Sequence, residues 1–67
     1  MNERFAIPIP PAPEKLGVKV WAMNDEGETR VGYGFGWDNN EAVADAIAFI
    51  IEETGDDTFV MNEWAAA

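Results

Sequence analysis

The chain has 67 residues, with 4 Lys and Arg against 13 Asp and Glu, a formal charge of −9 and a pI near 4.1. That length holds one small domain, and a hydrophobic content of 48% is too high for a disordered acidic tail. The absence of Cys, His, Ser and Gln excludes disulfides, thiolate or imidazole metal ligands, and Ser or Cys nucleophiles with a His base.

Residues 1–15 are predicted to form a Pro-rich arm, and 16–67 a single α+β domain. Arg4 is followed by no apolar stretch of the kind a signal peptide needs, so none is expected. In Phe5-Ala-Ile-Pro-Ile-Pro-Pro-Ala-Pro13 the prolines fix φ and remove donors, which predicts an extended segment. Phe5, Ile7 and Ile9 are placed to pack along the domain. The longest apolar run, Ala46 to Ile51, is far too short to span a membrane, and a cytoplasmic location is expected.

Leu16 to Met23 alternates as a strand, with Val18, Val20 and Ala22 on one face and Lys19, Trp21 and Met23 on the other. Asn24-Asp25-Glu26-Gly27 predicts a turn, with Gly27 at a left-handed position. Thr29 to Trp37 is the predicted return strand. Its large side chains, Val31, Tyr33, Phe35 and Trp37, share one face, and Gly32, Gly34 and Gly36 share the other. A three-residue loop sets Trp21 opposite Val31. Both faces of this hairpin then have apolar character. One needs the helix, and the other is left to the proline arm or to a partner. Tyr33 and Phe35 are expected to bear on folding.

Asp38 is placed to cap a helix that runs to about Glu53, with Glu41 as the acid of a capping box and Gly55 as the left-handed stop. Val43, Ala46, Ile47 and Ile50 are predicted to centre its buried stripe, flanked by Ala42, Phe49 and Ile51. Glu41, Asp45, Ala48 and Glu52 form its outer stripe. A third strand is predicted over Thr58 to Trp64, with Ala65 to Ala67 frayed. The order ββαβ gives a two-layer α+β fold, a three-stranded antiparallel sheet in the order 2-1-3 under one helix.

Gly32-Tyr-Gly-Phe-Gly36 is not a phosphate loop. It alternates like a strand and lacks the following Lys-Ser/Thr, so its glycines read as sites of close approach by the helix or a neighbouring backbone. The carboxylates cluster at the hairpin tip (Asp25, Glu26, Glu28), along the helix (Asp38, Glu41, Asp45, Glu52) and at its far end (Glu53, Asp56, Asp57). Their places on turns and a solvated face argue against general acid–base work. No calcium-loop spacing is present. No catalytic residue, metal or cofactor is expected.

What these acids suit is mimicry of a nucleic-acid strand. Glu41 and Asp45 rise about 6 Å along a helix, close to the spacing of phosphates along a strand. The small Ala44 and Ala48 leave room for basic side chains. Glu52 and Glu53 sit in the last turn, where the helix dipole disfavours anions, so their charge suggests a use beyond the helix itself. The predicted partner is a basic nucleic-acid-binding protein. Direct contact with nucleic acid or membrane is not expected, because a surface at −9 repels both. All ten clustered acids are candidate contacts.

In size, charge and α+β pattern the whole chain resembles the small acidic phage anti-CRISPR proteins that inhibit type I systems, such as type I-C. The resemblance implies a phage-encoded inhibitor, acting in the host bacterial cytoplasm, that binds the DNA-recognition surface of a Cascade complex and blocks target DNA. A hairpin followed by Gly36-Trp-Asp-Asn-Asn-Glu-Ala42, with Ala46 on the same helix face as Ala42, is similar to HicB-like antitoxin domains. That second resemblance implies an interaction module that pairs with a basic toxin or with itself as a homodimer.

Overall fold

The computed structural model describes residues 15–67. The packing expected of the proline arm lies outside the described residues. Strands β1 (Leu16–Met23), β2 (Thr29–Gly36) and β3 (Val60–Ala66) form one antiparallel sheet in the order β2-β1-β3, with helix α1 (Asn39–Thr54) between β2 and β3 in the chain. The architecture is the predicted two-layer α+β fold.

The hairpin register places Trp21 opposite Val31 and Met23 opposite Thr29. Its turn closes by Gly27 N–H donating to Asn24 O (3.1 Å) and Asn24 N–H donating to Glu28 O (3.0 Å). Gly27 has φ 82°, a backbone state that glycine reaches without a Cβ penalty. Asp38 caps α1 by accepting from Glu41 N–H (2.8 Å), and Gly55 ends it in the left-handed region. The capping box differs in one detail. Glu41 Oε1 accepts from Trp37 N–H (2.9 Å), one residue before the cap.

The helix covers the glycine face. Val18, Val20, Ala22, Ala42, Ala46, Ile50 and Phe59 form the core. A Cβ on Gly36 would lie 2.6 Å from Ala42 N, and one on Gly32 2.7 Å from Ile50 Cγ1. On Gly34 it would strike Ala42 O and Ala46 N directly. Small residues on both elements therefore let the helix backbone rest on the strand, as the glycine spacing suggested.

This packing corrects the expectation that Tyr33 and Phe35 support folding from within a core. They are 54% and 56% exposed, because one helix covers one face and it lies on the other. The buried stripe of α1 is also rotated from the predicted one. Ala42, Ala46 and Ile50 are buried, Val43, Ile47 and Ile51 are half-buried, and Phe49 is exposed. Steric fit to the glycines turns the alanines inward in place of the larger Val43 and Ile47. The third strand is displaced two residues from its expected span. Ala65 and Ala66 pair with Lys19 and Val18, and Ala67 N–H donates to Gly17 O (2.9 Å), so this end is held by the ladder.

Candidate interaction surfaces

The sheet face away from α1 is built by alternation. Lys19, Trp21 and Met23 of β1 lie beside Val31, Tyr33 and Phe35 of β2, and Trp37 extends the row beyond the strand. Among the described residues nothing covers these side chains, and Val31, Tyr33, Phe35 and Trp37 are each about half exposed. Two lysines lie across the rings. Lys19 Nζ is 5.0 Å from the Trp21 ring centre and 5.9 Å from that of Tyr33, and Lys15 Nζ is 5.5 Å from that of Trp37. Each ammonium sits where the ring quadrupole attracts it, while its methylene stem shields part of the apolar surface. Glu63 borders this row, opposite Trp21 on β3. The hairpin tip adds Asp25, Glu26 and Glu28 at one end.

The carboxylates divide into those that build the fold and those that do not. Asp38 and Glu41 cap the helix. Asp45 Oδ2 accepts from Phe35 N–H (2.9 Å), so it closes part of the outer edge of β2. The expectation that Glu41, Asp45 and Glu52 face solvent holds, with an addition for two of them. All three are exposed, but Glu41 and Asp45 also satisfy backbone donors that no strand partner reaches.

At the other end of the molecule a buried Asn24 gathers two more acids. Its side-chain amide donates to Glu28 Oε1 (2.9 Å) and Asp56 Oδ2 (3.0 Å), while its oxygen accepts from the backbone N–H of Glu26 (3.0 Å) and Glu28 (2.8 Å). Asp56 Oδ1 also accepts from the Thr58 hydroxyl (2.6 Å) and Thr58 N–H (2.9 Å). These bonds, the hydroxyl first, hold the Asp56 carboxyl below the usual Asp range. Asp25 joins the same knot, its backbone N–H donating to the Thr58 hydroxyl oxygen (3.2 Å). The knot ties the hairpin tip to the turn between α1 and β3. In the sequence Asn24 signals only a turn. A contact spanning 32 positions leaves no local signal of its second role.

The side chains of Glu26, Glu52, Glu53 and Asp57 make no hydrogen bond within the described residues, and all four are exposed. The structure does not bring the ten predicted contacts together on one surface. The tip acids and Asp56 share the Asn24 knot, whereas Asp38, Glu41 and Asp45 lie along the side of α1 next to β2. Among the described residues no three carboxylates converge as a metal site requires, and no helix is long and apolar enough to cross a membrane. No protein-family model, curated protein or solved structure matches this chain.

Proposed function

We propose that the protein is a non-enzymatic binding module that docks on a basic partner protein through the open face of its sheet. The observation that carries this reading is the row Val31, Tyr33, Phe35 and Trp37, left half exposed beside the partly buried Trp21 on a face that the helix does not reach. A contiguous apolar surface of this kind on a small domain marks an interaction site, and Trp and Tyr are the residues that most often carry binding energy. The formal charge of −9 selects the partner by sign. Acids border the aromatic row at Glu63 and at the hairpin tip, so a partner with an apolar contact and a basic surround is attracted and steered. Nucleic-acid-binding proteins present such surrounds. On the resemblance to small acidic anti-CRISPR proteins, the partner is a type I effector complex, and docking blocks its target DNA. On the HicB-like resemblance it is a basic toxin.

A second reading keeps the contact on the acids themselves, as a mimic of nucleic acid. It is favoured by Glu26, Glu52, Glu53 and Asp57, which are exposed and whose side chains make no hydrogen bond within the described residues. The experiment that separates the two starts with a low-salt pull-down from nuclease-treated bacterial lysate, followed by binding titrations with the recovered partner. The docking reading expects Tyr33→Ser with Phe35→Ser to abolish binding, and Glu52→Lys with Glu53→Lys and Asp57→Lys to weaken it only modestly at low salt. The reverse pattern supports the mimic. A bound partner that still takes up DNA with normal affinity overturns inhibition by either route.

A further inference from the structure

The two edges of the sheet are treated differently. On the β2 side, Asp45 accepts the outward N–H of Phe35, and α1 packs closely along that strand. On the β3 side, all seven strand residues are exposed, and α1, which lies over β2 and β1, scarcely reaches β3. The backbone parity of this edge follows from one bond. Ala67 N–H donates to Gly17 O, so this pair bonds across the ladder and the next pair, Val18 and Ala66, does not. Continuing the alternation, Trp64 and Ala66 turn their N–H and C=O groups away from β1, out of the sheet.

Among the described residues no strand pairs with this edge, and an edge with free outward groups is a template for another strand. We infer that β3 pairs antiparallel with β3 of a second copy, about a two-fold axis at Trp64, to form a continuous six-stranded sheet. Three observations select this occupant and this register. First, outward groups on Trp64 let the two copies of that residue exchange both backbone hydrogen bonds, as a two-fold pair requires. Second, the register places Glu63 opposite Ala65 of the second copy. A shift that centres the axis on Glu63 would set two carboxylates about 4.5 Å apart at their Cα atoms and is disfavoured. Third, Trp64 pairs with Val20 and so shares the helix-side face, where it remains 39% exposed beside Met61. Pairing brings the two Trp64 rings together in the gap between the two helices, with one Met61 on either side of them. Asn62 has no partner in the β1–β3 register, so the part of β3 in unbroken register with β1 is residues 63–66.

This interface uses the opposite sheet face from the proposed partner site, so the two readings fail separately. Sedimentation of the full chain over a concentration series should show a monomer–dimer equilibrium. Ala66→Pro removes an outward N–H and leaves the β1 ladder intact; it is expected to weaken dimerisation at least tenfold without lowering the melting temperature of the monomer. Phe35→Ser should leave dimerisation unchanged. Hydrogen exchange on the unaltered protein reads the same edge without mutation. The amides of Trp64 and Ala66 should gain protection as concentration rises, while that of Phe35 stays constant. The inference is overturned by a chain that remains monomeric up to about 1 mM. It is equally overturned by a dimer in which the Trp64 and Ala66 amides exchange freely.

Discussion

On β2 the even residues, Gly32, Gly34 and Gly36, turn toward α1, and the odd residues, Val31, Tyr33 and Phe35, turn away from it. The closed face gains its order from nearness. With no Cβ in the way, the helix backbone comes against the strand, and Val18 and Val20 are the largest side chains fully buried. The open face holds the area that hydrophobicity alone would have put inside. The contrast teaches that a single helix goes where it fits most closely, not where the most apolar surface waits. The surface it leaves behind is then available to a partner.

The largest expected effect comes from spoiling that fit. In Gly34→Ala the new methyl meets Ala42 O and Ala46 N, which are backbone atoms and cannot rotate aside. The cost should reach or exceed the top of the usual overpacking range of about 1–3 kcal/mol. A domain of this size has roughly 3–10 kcal/mol in total, so the variant should be largely unfolded or melt far lower by circular dichroism. A native melting curve would show that the helix stands off the strand.

Next comes the cap that anchors the helix over those glycines. Asp38→Ala removes the acceptor for Glu41 N–H and should cost about 0.5–2 kcal/mol in a urea titration. An unchanged midpoint would move the cap to a neighbouring residue. Smaller still is the expected effect on the open face. Phe35→Ala should cost about 1 kcal/mol or less, because the ring is already half in water. A loss of about 3–5 kcal/mol, the range for a buried aromatic, would mean that the open face is covered and would reverse the comparison.

Much of this arrangement was legible in the sequence, and the failures have physical causes. The hairpin, its register, the cap at Asp38 and the stop at Gly55 are set by residues within a few positions of one another. The alternation of Gly32, Gly34 and Gly36 marks a site of close approach, and the helix packs there. The choice between faces was harder, since it sets the steric value of three missing side chains against the area of Tyr33, Phe35 and Trp37. The stripe of α1 turned with that choice, toward Ala42 and Ala46. Ala65 and Ala66 looked frayed because alanine has little strand preference, yet pairing with β1 decides their state. The acids were hardest to read. Asp45 and Phe35, or Asp56 and Asn24, meet only after the fold has formed.

The smallest expected effect concerns the knot that holds the hairpin tip beside the turn after α1. Asp56 accepts from the Thr58 hydroxyl, from Thr58 N–H and from the Asn24 amide, and its carboxyl is held below the ordinary Asp value. A group depressed in the native state binds its proton more readily when unfolded, so acid favours unfolding. Its contribution is therefore complete above the unfolded value of about 3.9 and is lost as pH falls from there through the lowered native value. Asp56→Asn keeps one acceptor but turns an amide toward the Asn24 amide, two donors face to face. The variant should be less stable than the parent at neutral pH. The gap between their urea midpoints should then narrow as pH drops below about 4, because only the parent loses a charged acceptor. A gap that stays constant down to acid would show that the knot works through shape alone. The closed end of the glycine face would then owe nothing to the charge of Asp56.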